Sequence, residues 1–307
     1  MKLINKKNDL KSTIPLMALF VALNLIITVY ATYLPLSGYI AILFLPLIST
    51  IYCLNTKKRY FPIYFLITMA LAICFSIQDL TTTLLYLLPA LLQGLFFSIF
   101  INLNKDGSIS YFISVIILFV TKISIIPLID FIYQVNTIDS ILTLLNLINV
   151  ENITYFVYGA LFLICTFEMF IVFIITKNEL LKLGYKINLF SEISFIFIVV
   201  SALSSSLTLI FSNMNLFHIS YTFLAISLIS SIIITIQLIK KRVLIFSIFS
   251  SMTFIASWMI FVAFLQRLGF YYAFSTLSIF GICMSLAGAI YLLYVHLKMN
   301  KDSGKKW

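Results

Sequence analysis

The chain has 307 residues, 62% hydrophobic and only 10% charged, with a formal net charge of +10 and a mean hydropathy of +1.13. So few charges cannot hold that much apolar surface in water, which excludes an ordinary soluble globular domain and makes the bilayer the main solvent. The positive excess lies in short clusters between apolar runs, with no face that interleaves basic and aromatic residues, so nucleic acid is not an expected partner and the lipid bilayer is.

The opening "MKLINKKNDLKS" is basic and precedes an apolar run of full membrane length with no small-residue cleavage site after it. This predicts a retained first helix rather than a removable signal peptide. Runs of about 20 residues, the length of a membrane span, lie near 14–34, 37–54, 60–78, 80–103, 109–132, 154–176, 190–212, 216–239, 243–265 and 270–295. With the N terminus in the cytoplasm, eighteen of the twenty lysines and arginines fall on the inner side, leaving Arg267 outside and Lys122 within the membrane. The positive-inside rule then predicts an all-α, polytopic membrane helix bundle of about ten transmembrane helices with both termini cytoplasmic. The inner segment "TKNELLKLGYKIN" (176–188), with Gly184 as a helix stop, marks the expected boundary. A six-helix membrane domain (1–176), a cytoplasmic connector (177–189) and a four-helix membrane domain with a basic tail (190–307) follow from it. No internal repeat relates the two halves.

Polar and small residues inside the spans carry the remaining information. On the first helix Ala18 and Ala22 form a small-xxx-small surface suited to close helix approach, while Asn24 and Thr28 face largely the other way. On the fourth, Asp79, Thr82, Tyr86, Pro89 and Gln93 follow alternating three- and four-residue steps along one predicted face. Pro89 has no N–H and frees the carbonyl of Leu85 in that wall. The stripe reads either as helix–helix hydrogen bonding or as the lining of a cavity that opens outward.

Lys122 stands midway along the fifth helix, too deep for simple snorkelling, with Glu168 of the next span as its expected partner. A Lys122–Glu168 pair would fix helix register, or serve a substrate or proton. The outer segment 133–152 alternates polar and apolar faces at helical period, an amphipathic helix that lies on the surface or covers a cavity. Gly281, Ser285 and Ala289 on the last helix, and "SALSSSLTL" on the seventh, predict further close-packing seams.

Cys53, Cys74, Cys165 and Cys283 all lie in apolar runs with no metal-ligand spacing, so they read as membrane-packing residues. No phosphate-binding loop, H-E-x-x-H, or paired intramembrane aspartates occur, and His218 and His296 sit near helix ends. No catalytic residue, cofactor or metal is expected, and the chain does not read as an enzyme.

The opening "IPLMALFVALNLIITVYATYLPLSGYIAILFLPLISTIYCLNTKKR" joins an alanine-spaced first helix to a Pro/Gly turn, a second span with a central proline, and a basic loop. This pattern resembles the YybS-like family of multi-pass bacterial membrane proteins. The first six helices of that family are similar to the S components of energy-coupling factor vitamin transporters. The resemblance implies a plasma-membrane protein that binds a small solute on the outer half of the bundle and uses Ala18 and Ala22 against a membrane coupling subunit with its ATPases. Four added helices depart from the S-component pattern. On this reading solute enters along Asp79, Thr82, Tyr86 and Gln93, near Asn24, and Lys122 is countercharge for an anionic or zwitterionic solute. The alternative is a scaffold or regulator of envelope machinery.

Overall fold

The computed structural model describes residues 10–34, 38–77, 79–103, 107–144, 154–185, 195–240 and 275–303, with short helical pieces at 248–249, 252–253, 255–261 and 272. The first helices are α1 (Leu10–Tyr33), α2 (Gly38–Asn55) and α3 (Phe61–Phe75), the last preceded by a single 3-10 turn. Next come α4 (Leu80–Asn102), α5 (Gly107–Tyr133) and α6 (Thr137–Leu144). The remaining long helices are α7 (Thr154–Lys182), α8 (Phe195–Asn213), α9 (Phe217–Lys240) and α10 (Ser278–Ser303).

Among the described residues, eight helices are long and apolar enough to cross a membrane: α1, α3, α4, α5, α7, α8, α9 and α10. The chain is therefore a multi-pass helical membrane protein. Two of the ten expected spans are absent from that count. Helix α2, at eighteen residues, is at the lower limit of a span and is not among the eight, and about half of 243–265 lies outside the described residues.

Local chemistry sets the helix ends. Asp79 caps α4, its Oδ1 accepting from Thr81 N at 2.9 Å. Gly184 adopts φ 86°, and the N–H groups of Gly184 and Tyr185 return to the carbonyls of Leu181 and Leu180, closing α7 in a Schellman motif. Asn215, at φ 59°, closes α8 with the same pair of bonds, to Ser212 and Phe211. Helix α6 starts where Asp130 accepts from both the backbone and the hydroxyl of Thr137. Of the expected 133–152 helix, residues 145–152, with Asn146 and Asn149, lie outside the described residues.

The chain divides into two compact units. The first comprises Met1–Leu145 and Ile164–Leu189. Its core joins Phe20 and Val21 of α1, Leu45 and Tyr52 of α2, Tyr64 and Ala72 of α3, and Leu87 and Leu91 of α4. Leu84 with Ile125 and Ile129 extends it to α5. The second comprises Asn146–Leu163 and Phe190–Trp307, packed around Phe217, Tyr221, Leu224, Phe261 and Leu277, with Phe156 stacked on Tyr221 at 4.4 Å.

Helix approach is tightest at two glycines. A Cβ on Gly94 would lie 2.3 Å from Ser49 Cβ and 2.7 Å from Thr50 N, so α4 touches the backbone of α2 there. In the second unit a Cβ on Gly281 would meet the hydroxyls of Ser227 and Ser205 at 2.1 and 2.2 Å. Ser201, Ser205, Ser227 and Ser231 bond one another in two pairs, and Ser201 also donates to the Gly281 carbonyl. Gly281 and Ser285 are buried, but Ala289 is exposed. At 3.6 residues per turn the eighth position after Gly281 has drifted about 80° off its face, while the seventh returns to within about 20° of it. Gly288 therefore continues the seam against Ile198 and Ile234.

Candidate functional site

Lys122 lies near the middle of α5, flanked by Thr121 and Ser124, whose hydroxyls bond carbonyls of their own helix. Those hydroxyls leave the ammonium to find its partner elsewhere. Its Nζ donates to Glu168 Oε2 of α7 at 2.5 Å, and the two side chains are 12% and 14% exposed. Helical side chains lean toward the N terminus of their own helix. Consecutive spans run in opposite directions, so Lys122 and Glu168 lean toward each other and close an axial offset that backbone rise alone would leave open. Near the start of α5, Tyr111 donates to the Thr166 carbonyl at 3.0 Å and packs edge-on against Phe170 and Phe173, which pins α7 to α5.

The pair is neutral as a whole, the lysine charge being met by Glu168. Among the described residues its hydrogen-bonding capacity is not filled. Nζ has three N–H groups and uses one, and Glu168 Oε1 has no partner among the described residues. In a low-dielectric setting an ion pair is stable only when its remaining donors and acceptors are also met. Glu168 also borders a half-open groove of about 370 Å³, with Ile42 and Leu43 of α2 and Ile164, Phe167 and Ile171 of α7 as the other walls. Cys165, one turn from Glu168, is fully buried, and all four cysteines are free.

The α4 residues are not gathered at this pair. Residues Thr83–Leu87 form a π turn, with Leu88 N bonded to Thr83 O. The wide turn adds one residue to the helical repeat, so Asp79 and Thr82 before it lose the register that an unbroken α-helix would give them with Pro89 and Gln93 after it. Asp79 is used as the helix cap, Thr82 is buried, and half-buried Tyr86 lies against Gly38. Gln93 is 2% exposed in the α4 wall.

Asn24 belongs to a separate polar cluster. Its Nδ2 donates to Tyr64 Oη, and Tyr64 stacks on Tyr52 at 3.9 Å. Asn24 Oδ1, Ser49 Oγ and Tyr52 Oη are buried and make no hydrogen bond of normal geometry among the described residues. Sequence reasoning passed over Ser49, Tyr52 and Tyr64. The available signal was the presence of tyrosines deep within runs that also hold Asn24. Ala18 and Ala22 are exposed and, with Ile14, Met17, Val21, Leu25, Ile67 and Leu71, line an apolar groove of about 320 Å³ along α1 and α3.

Compared with known proteins, the chain matches no family model, no curated protein and no solved structure. What stands is the class: an integral multi-pass membrane protein whose apolar spans meet the lipid bilayer.

Proposed function

We propose that the protein binds, and in its full assembly transports, a small solute in the manner of an S component, with the Lys122–Glu168 pair as its polar anchor. The single observation that carries this reading is an intramembrane ion pair with unfilled hydrogen-bonding capacity beside a groove of ligand size. The proposal includes ten crossings in a bacterial plasma membrane with both termini in the cytoplasm. It also includes a coupling subunit with ATPases as the source of energy, and no catalytic step. The six-helix, connector and four-helix division is proposed with it. The deciding measurement is thermal unfolding in lipid nanodiscs against a panel of vitamins and metabolites. At least one solute should raise Tm in the native chain and fail to do so in Glu168→Gln. A panel without any Glu168-dependent shift overturns the reading.

A second reading, a scaffold or regulator of envelope machinery, is favoured by the exposed Ala18–Ala22 groove, a surface suited to a partner helix. Ala18→Leu with Ala22→Leu should then strip a co-purifying membrane partner while leaving the melting profile unchanged.

A further inference from the structure

We infer that the groove beside Glu168 takes an uncharged lipophilic alcohol or phenol that enters sideways from the bilayer; this rests on reading the Lys122–Glu168 pair as a binding site. Three observations carry it. The groove walls on α7 face outward on a membrane span, with Ile164 58%, Phe167 70% and Ile171 51% exposed, so the approach is through lipid. The polar residue in an otherwise apolar lining is Glu168, whose Oε2 is taken by Lys122 while Oε1 has no partner among the described residues, so its carboxylate is the acceptor available to a ligand there. The pair is already neutral, and it sits near the middle of both α5 and α7, where a charged headgroup would have to be dragged through hydrocarbon. An uncharged hydroxyl donor meets the acceptor without that cost. A methylene occupies about the volume of a water, near 30 Å³, so the groove holds about a dozen chain carbons.

The test places a single tryptophan reporter in the groove, Phe167→Trp, in a chain carrying Trp258→Phe and Trp307→Phe and reconstituted in nanodiscs. Terminally brominated dodecanol quenches it saturably, above the level set by a brominated bulk lipid. The matching dodecyl methyl ether, which can accept but not donate, binds about tenfold more weakly, the worth of one hydrogen bond to a charged group. Leu43→Phe with Ile164→Phe fills the groove without touching the pair and weakens the alcohol about tenfold as well. Lys122→Leu with Glu168→Leu, which removes both charges together, does the same. Equal binding of alcohol and ether, or quenching no greater than that by bulk lipid, overturns the inference. If a water-soluble solute stabilises the protein through Glu168 and dodecanol does not bind, this inference falls and the proposed function stands. If dodecanol binds as described and the soluble panel is blank, the proposed function falls and this inference, which needs only the pair as a binding site, stands. If neither binds, both fall.

Discussion

At Lys122 the balance between charge and burial decides the outcome of substitution. Lys122→Leu or Glu168→Leu alone leaves one charge nearly nine-tenths buried with nothing opposite it. Each single change should cost about 3 kcal/mol, read as lost Tm and yield, while the double change recovers most of the loss. A double variant no better than either single one would show that the two residues act apart. Gly94 is a second site where one atom decides. Adding a methyl places it 2.3 Å from Ser49 Cβ and 2.6 Å from the Ser49 carbonyl carbon. Backbone cannot rotate away as a side-chain tip can, so Gly94→Ala should cost about 3 kcal/mol in nanodisc unfolding. The ion pair was legible in the sequence, because two opposite charges in neighbouring apolar runs have nowhere else to go. The Asn24–Tyr64 contact was not, because a tyrosine in an apolar run looks the same whether it faces lipid or a buried amide.

Among the elements, α8, α9 and α10 meet through hydroxyls around Gly281 and through Ile198 and Ile234 at Gly288. The Ser205–Ser227 bond of 2.6 Å leaves no room for a side chain at position 281. Gly281→Ala should destabilise the protein, and the triple variant Gly281→Ala, Ser205→Ala, Ser227→Ala should recover stability by removing the two obstructing oxygens. Failure of that rescue in a thermal melt would mean the helices are held apart by something other than those hydroxyls. The small-residue seam was readable as a pattern, but its continuation was not, since four-residue steps drift off a 3.6-residue face and so favour Ala289 over Gly288. The register of the α4 stripe shifts for a related reason. Its three- and four-residue steps assume an unbroken α-helix, and the π turn just ahead of Pro89 inserts a residue that composition does not announce.

For the whole molecule, the proposed ten-span layout needs α2 to cross. Its eighteen residues rise about 27 Å, just under the hydrocarbon thickness, and local thinning of the bilayer makes up the difference. In a cysteine-free chain, single cysteines at Lys58 and Lys182 should resist a membrane-impermeant maleimide in intact cells, while those at Asn136 and Asn215 should react. Labelling at Lys58 would mean that α2 does not cross and that the ten-span layout is wrong. The bundle class and most helix positions were accessible from hydropathy because each span must satisfy its own backbone in lipid. The length of α2 was legible too: the apolar run 37–54 and the helix Gly38–Asn55 are both eighteen residues long.

The neutrality of the Lys122–Glu168 pair has an electrical corollary. A lone charge displaced across a membrane exchanges about 2.3 kcal/mol with the field for every 100 mV, whereas two opposite charges moving together exchange almost nothing. Helices that shift with the pair intact therefore carry no current of their own, and loading of an uncharged ligand should be indifferent to membrane potential. Polarised proteoliposomes of the native chain should show the same ligand affinity at either sign of voltage. Those made with Lys122→Leu, which leaves Glu168 as a solitary anion, should not.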